Sequence, residues 1–471
     1  MLPQSFPMSL SAVLVLLILF SGCTLGPDYQ RPDLDIPVLY REDAPWKKAT
    51  PADEAPKGPW WTAYGDPILD DLQDRTAQAN QDIKAAVARL DQARATARIE
   101  ESDLWPRIDL NPAAQRRRTP ADLSALGSGD TRTTLSLPFD LGYEVDLWGR
   151  VRRSVEAATE EARATAADLE NLRLTLHAEV ARNYFALRAL DSEIELLKRT
   201  VELRRQNLRL VESLFLNGEV GRLDVARAET ELATAQADVA GLNRDRAQIE
   251  HALAVLTGEA VSNFELAESP LDITPPAPSP GLPSQLLERR PDVAAAERRL
   301  ISANARIGLA HTAFFPDIRL TGSAGFGSDE LSSLFSWDNR LWAFGPAVSL
   351  PIFTAGRNRA GLEQARAAYE EEIARYRQTL LNAFREVEDS LSDLRILAEQ
   401  AEMQQLAVIA SKDAAQLSNK RYRAGLVSYL EVVDSERTAL SSQRIATRIM
   451  GQRLQASVSL IKALGGDWSK K

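Results

Sequence analysis

The sequence predicts a mainly helical, elongated protein made of two copies of one unit, each copy carrying a pair of short strands beside a very long helix. Three observations lead there. First, Trp105-Pro106-Arg107-Ile108-Asp109-Leu110 recurs as Phe315-Pro316-Asp317-Ile318-Arg319-Leu320 at a spacing of 210 residues, and Gly149-Arg150 and Gly218 recur as Gly356-Arg357 and Gly425 at a spacing of 207. Second, residues 150–217 and 362–424 contain neither glycine nor proline, so nothing in either stretch breaks a helix. Third, the segments between the first helix and the long helix of each copy switch to period-two alternation.

The order of elements follows. Residues 1–22 read as a signal peptide: Ala12 to Phe20 is an unbroken apolar run, too short to span a bilayer, and it ends in Ser21-Gly22-Cys23. No Lys or Arg precedes the run, a departure from the usual signal pattern. Cys23 is the sole cysteine, which excludes a disulfide framework and a thiolate metal site. Phe20-Ser21-Gly22-Cys23 resembles the lipobox of bacterial lipoproteins, so Cys23 is the expected lipidation site and residues 23–62 the lead-in that follows it.

Repeat 1 covers residues 63–265, with a helix, a hairpin over 107–144, a long helix over 150–217 and a return helix over 222–257. Repeat 2 covers 284–466, with a helix, a hairpin over 317–351, a long helix over 357–424 and a return helix over 429–464. The stretch 266–283 between them, rich in proline, is an extended linker. At 1.5 Å per residue each long helix reaches about 100 Å. Leu169, Leu172, Leu176, Val180, Leu187, Leu190, Ile194, Leu197 and Val201 step at close to the coiled-coil period, as do Ile373, Tyr376, Leu380, Phe384, Val387, Leu391 and Leu394. Glycines at Asn217-Gly218 and Ala424-Gly425 supply the left-handed caps that end the rods.

The strands put Ile318, Leu320, Gly322, Ala324 and Phe326 on one face and Arg319, Thr321, Ser323 and Gly325 on the other; Leu135, Leu137, Phe139 and Leu141 behave likewise. Loops are expected at Ala125 to Asp130 and Gly327 to Asp329. The alternation alone fits a half-buried soluble sheet as well as a membrane barrel. Four strands cannot close a barrel, since the smallest have eight, and open edges are not tolerated in lipid. Membrane strands here would therefore require several chains to share one barrel.

Composition excludes several functions. The net charge of −10, from 66 acidic and 56 basic residues, leaves no basic stripe for nucleic acid. The three histidines, His177, His251 and His311, are scattered and read as ordinary helix-surface or interface residues. There is no phosphate loop and no nucleophile elbow, and Met403 and Met450 alone do not make a soft-metal path. The expectation is a protein that is not an enzyme and holds no metal.

The informative polar cluster is the second turn, Tyr422 through Asp434. Glu431 and Asp434 lie three apart and share a helix face. They serve either as a solvated helix start favoured by the helix dipole or, in a symmetric oligomer, as a ring of carboxylates of the kind that selects cations. The first copy has Asp224 in place of Glu431 but Arg227 in place of Asp434.

Cys23-Thr24-Leu25-Gly26-Pro27-Asp28-Tyr29-Gln30-Arg31-Pro32, Trp60-Trp61 with Gly65-Asp66-Pro67, Arg290-Pro291-Asp292-Val293, Ala305-Arg306-Ile307-Gly308, Phe314-Phe315-Pro316, Phe344-Gly345-Pro346, Leu350-Pro351-Ile352-Phe353 and Gly356-Arg357 together resemble the TolC-like outer-membrane factors, in their NodT-type, OprM-like efflux lipoprotein branch. The resemblance runs over nearly the whole mature chain. It implies a homotrimer with a twelve-stranded outer-membrane β-barrel and a long periplasmic α-helical barrel, anchored by N-acyl and S-diacylglycerol lipid on Cys23. It implies partnership with a periplasmic adaptor protein and an inner-membrane efflux transporter, and export of small toxic molecules. A type I protein-secretion channel would share the fold, and a pore-free coiled-coil lipoprotein is the structural alternative. By the same resemblance Tyr422, Val427, Glu431 and Asp434 form the periplasmic gate, Val427 standing where TolC has a basic residue. Gly218, Gly221, Leu223, Gly425 and Leu430 match the turn tips that adaptors grip.

Overall fold

A computed structural model describes residues 24–32, 58–120, 122, 129–276 and 290–466. The signal run, Cys23, most of the lead-in and linker residues 277–283 lie outside them. Helices α1 (Pro67–Ala79), α2 (Gln81–Ser102), α3 (Arg150–Leu216), α4 (Arg222–Leu256), α5 (Pro291–Thr312), α6 (Arg357–Arg423) and α7 (Tyr429–Ala463) alternate with strands β1 (Arg107–Leu110), β2 (Ala113–Thr119), β3 (Asp130–Glu144), β4 (Asp317–Ser328) and β5 (Arg340–Ser349). The two rods, α3 and α6, have 67 residues each, and the two return helices, α4 and α7, have 35 each. Contacts divide the chain into two compact units.

One unit comprises the described residues of 1–34, 89–166 and 295–377 and contains the sheet. Its strands run antiparallel in the order β1-β3-β4-β5, with β2 also on β3. β1 and β2 are one strand interrupted: Leu110 faces Phe139 and Ala113 faces Ser136 in unchanged register. Pro112 has no N–H to continue the ladder, although Asn111 still donates to the Pro138 carbonyl at 3.1 Å. The expected loop at Gly327 to Asp329 is corrected here, because β4 carries on through Ser328 and pairs it with Leu135; the connection to β5 is residues 329–339.

Register fixes which residues share a face. Ile108, Leu141, Gly322 and Phe344 form one cross-strand row, and Leu110, Phe139, Ala324 and Trp342 the next. The opposite face carries Asp109, Asp140 and Ser323 in one row, and Glu144 and Arg319 in another. Trp342, Phe344, Val348, Ile108 and Phe139 are exposed, so the apolar face has no cover among the described residues.

Below the strands, alanines let helices approach closely: Ala157, Ala162, Ala164, Ala303 and Ala305 are all buried. Residues 24–32 are laid across this layer. Gly26 has φ +102°, and a Cβ there would stand 2.5 Å from Gly308 Cα, so both positions need glycine. Asn304 Nδ2 donates to the Pro27 carbonyl at 2.9 Å, and the Arg31 guanidinium pairs with Glu297 at 2.5 Å.

The other unit comprises the described residues of 35–88, 167–294 and 378–471. The 3-10 turn Trp60–Tyr64 drives Trp60 and Tyr64 into its core, and Asp66 caps α1 by accepting from the Ile68 and Leu69 amides, with Pro67 in the first turn. On α3 the seam residues Leu169, Leu176, Val180, Leu187, Ile194 and Leu197 are buried. Buried arginine–carboxylate groups bind helix to helix: Arg444 and Arg448 of α7 donate to Glu193 of α3 at 2.6 and 2.9 Å, and Arg246 of α4 donates to Asp191 of α3 at 2.7 Å. His177 is not a surface histidine. It is buried, stacked 4.5 Å from Trp61 and bonded through Nδ1 to Gln73 Oε1 at 2.5 Å, and burial lowers its pKa to about 4.

Both rods leave apolar side chains uncovered, α3 at Leu203, Leu210, Phe215 and Leu216 and α6 over more of its length. α6 leaves Leu381, Ile396, Met403, Leu406, Ile409 and Leu417 exposed, the set Ile396, Met403 and Leu417 keeping heptad phase. No helix among the described residues is long and apolar enough to cross a membrane.

Candidate functional site: the paired helix turns and the strand face

The turn after each rod is built from the same backbone bonds. Gly218 N–H donates to the Phe215 carbonyl at 3.0 Å and Glu219 N–H to Leu214 at 2.9 Å; Gly425 N–H donates to Tyr422 at 2.8 Å and Leu426 N–H to Arg421 at 2.9 Å. Both are Schellman caps, with glycine at φ +78° and +70° supplying the left-handed residue. Gly221 takes the N-cap position of α4, and Ser428 that of α7.

The side chains on that shared backbone differ. Asp224 pairs with Arg227 of its own helix at 3.3 Å, whereas Glu431 reaches back to Arg421 of α6 at 3.5 Å and Asp434 is exposed. Tyr422 is half-buried with its ring 5.4 Å from that of Tyr429, and its hydroxyl oxygen is buried with no hydrogen-bond partner among the described residues. Burial, helped by Asp224, raises its pKa. Val427 is half-buried, and Leu223, Leu426 and Leu430 are exposed.

Beneath the turns, Val211, Val225, Ala228, Tyr429, Val432 and Val433 form one buried cluster that joins the two hairpins. Polar links support it. Glu436 accepts from Asn207 at 3.1 Å and from Asn419 at 2.7 Å, while Glu231 pairs with Arg204 at 2.9 Å and with Arg437. These cross-links were missed by the sequence reading. Each involves a carboxylate whose partner is distant in sequence, and helix periodicity shows only that such residues recur on a face. Among the described residues no cluster of His, Cys, Asp and Glu could hold a metal ion.

A sheet with an exposed apolar face, two equal coiled-coil hairpins and internal duplication define the class of outer-membrane channels with periplasmic helices. The outer membrane efflux protein family profile matches residues 72–259 and 282–466, one match per repeat, and the chain belongs to that family. The toluene efflux pump outer membrane protein TtgF of Pseudomonas putida is 34% identical over 461 residues, covering 97% of this chain and 96% of the relative. A membrane protein from Pseudomonas aeruginosa has a structure similar at a TM-score of 0.87, with 32% identity, over 95% of this chain and 98% of that one. The open state of the Neisseria gonorrhoeae MtrE outer membrane channel is similar at a TM-score of 0.80, with 32% identity, over 94% and 98% of the two chains. The protein is thus an efflux channel component of the outer membrane that extends into the periplasm.

Proposed function

We propose that three copies of the chain close one barrel and one helical tunnel, through which a periplasmic adaptor and an inner-membrane transporter expel small, partly apolar toxic compounds. The observation that carries this is the open sheet. Its four strand positions end in two edges and present an apolar face, an arrangement that lipid tolerates only when neighbouring chains close the edges. The uncovered heptad stripe on α6 supports the same assembly, since it offers a coiled-coil face to a neighbouring rod.

In the assembled trimer the second turns converge at the periplasmic mouth. Glu431 and Asp434 then stack into acidic rings, Leu426, Val427 and Leu430 close the mouth by contact, and the Tyr422 hydroxyl finds its acceptor on a neighbouring protomer. The adaptor grips the turn tips at Gly218, Gly221, Leu223, Gly425 and Leu430. It opens the mouth to the extent that it binds the splayed form more tightly than the closed one. Cargo passes without chemical change, so no catalytic group is required. Cys23 carries the lipid that tethers the N-terminus, and residues 24–32 hold the tether against the helices.

Planar-bilayer recording tests the reading: discrete conductance steps from the purified protein support it, and none would reject it. Photo-cross-linkers at Leu223 and Leu430 should capture an adaptor. Cys23→Ala should abolish acyl labelling while leaving the trimer intact; retained label would remove the lipid assignment.

A further inference from the structure

The apolar face of the sheet ends abruptly on β2. Its residues alternate down the strand, and those sharing the face of Leu135 are Ala114, then Arg116 opposite Thr133, then Arg118 opposite Thr131. At about 3.3 Å per residue the two arginines lie roughly 7 and 13 Å beyond the last apolar row. They are at the end of the sheet remote from the helices, because α2, α3, α5 and α6 all join the strands at the other end. In an outer-membrane channel whose helices are periplasmic, this is the cell-surface end.

On the other face of the sheet Arg107 pairs with Asp109 at 2.8 Å and Arg319 with Asp317 at 2.8 Å, while Arg117 and Arg132 stand opposite each other in register. Arg116 and Arg118 are exposed and have no carboxylate partner among the described residues; threonine hydroxyls stand opposite both. Two guanidinium groups and two hydroxyls just above a lipid-facing apolar band match an anionic headgroup, the guanidinium fork fitting phosphate oxygens in pairs. We propose that Arg116 and Arg118 form a binding site on the barrel's outer wall for the phosphates of a phosphorylated glycolipid in the outer leaflet, fixing the depth of the barrel in the membrane.

The test uses the full-length protein in detergent, titrated with diphosphorylated lipid A and with the same lipid A after dephosphorylation, bound lipid being counted by native mass spectrometry. The wild-type protein should prefer the diphosphorylated form. R116Q with R118Q should weaken that binding about thirtyfold, each charge contributing roughly fivefold at an anionic surface. R117Q with R132Q, which alters the opposite face of the same strands, should leave it unchanged, and R116K with R118K should restore most of it. Equal binding of the two lipids by wild type, unchanged binding by R116Q with R118Q, or equal loss in the opposite-face variant would each overturn the site. Subunit number is read from the same spectra, so failure of the trimer and failure of the headgroup site give different results.

Discussion

The two turns that end the rods have one backbone and two chemistries. Both are stopped by a left-handed glycine with the same pair of reversed hydrogen bonds. The first turn neutralises itself, Asp224 against Arg227 and Arg222 against Glu229. The second replaces Arg227 by Asp434, replaces Phe215 by Tyr422 with its unsatisfied hydroxyl, and sends Glu431 back to the preceding helix. Stability asks only for the cap, which both copies keep. In the proposed assembly the exposed Asp434 and the Tyr422 hydroxyl, which has no hydrogen-bond partner among the described residues, are turned towards other copies.

The largest expected effect breaks the equality of the rods. Deleting residues 396–398 from α6 alone rotates everything beyond by about 60° and should abolish the trimer on native gels; α3 would keep its phase and no longer meet its partner. Charge is the next test. Glu431→Gln with Asp434→Asn should lower the cation-to-anion permeability ratio on the order of severalfold in planar bilayers without loss of trimer, whereas Asp224→Asn should change it little. Unchanged selectivity in the double variant would remove the ring and with it the functional contrast between the turns.

Acid tests a different group, the buried His177. Its folded pKa of about 4 lies below the unfolded value near 6.5, so the unfolded chain binds the proton first. The stability held by neutral His177 is complete above about pH 6.5 and declines as pH falls toward 4, by up to about 3 kcal/mol per chain. His177→Gln should flatten that decline in thermal unfolding across pH 7 to 4. The smallest effect is Tyr422→Phe, which gives the second turn the kind of ring the first has at Phe215. With no acceptor among the described residues, the hydroxyl's loss should change protomer stability by less than about 1 kcal/mol; a rise in spontaneous channel opening would show that the acceptor is on a neighbour.

The sequence made the rods, the duplication and the turns legible because each rests on a strong local rule: no Gly or Pro for more than sixty residues, a heptad seam, and glycine where the chain must turn left-handed. The strand faces were legible as alternation, yet the break at Pro112 and the extension of β4 through Ser328 depend on what lies opposite, which one strand does not reveal. The burial of His177 and the pairing of Glu193 with Arg444 and Arg448 were hidden for the same reason. The packing of Gly26 on Gly308 joins positions far apart in the chain, with no periodic signal to link them. At the turns, Glu431 and Asp434 were singled out from sequence, whereas the return of Glu431 to Arg421 needed the turn's actual curvature.

The number of chains that share the sheet decides between a shared barrel and an open sheet. Native mass spectrometry of the detergent-extracted protein measures it directly: the account predicts a particle of three chains that persists on dilution. A monomer, or a particle whose count is not three, would contradict it.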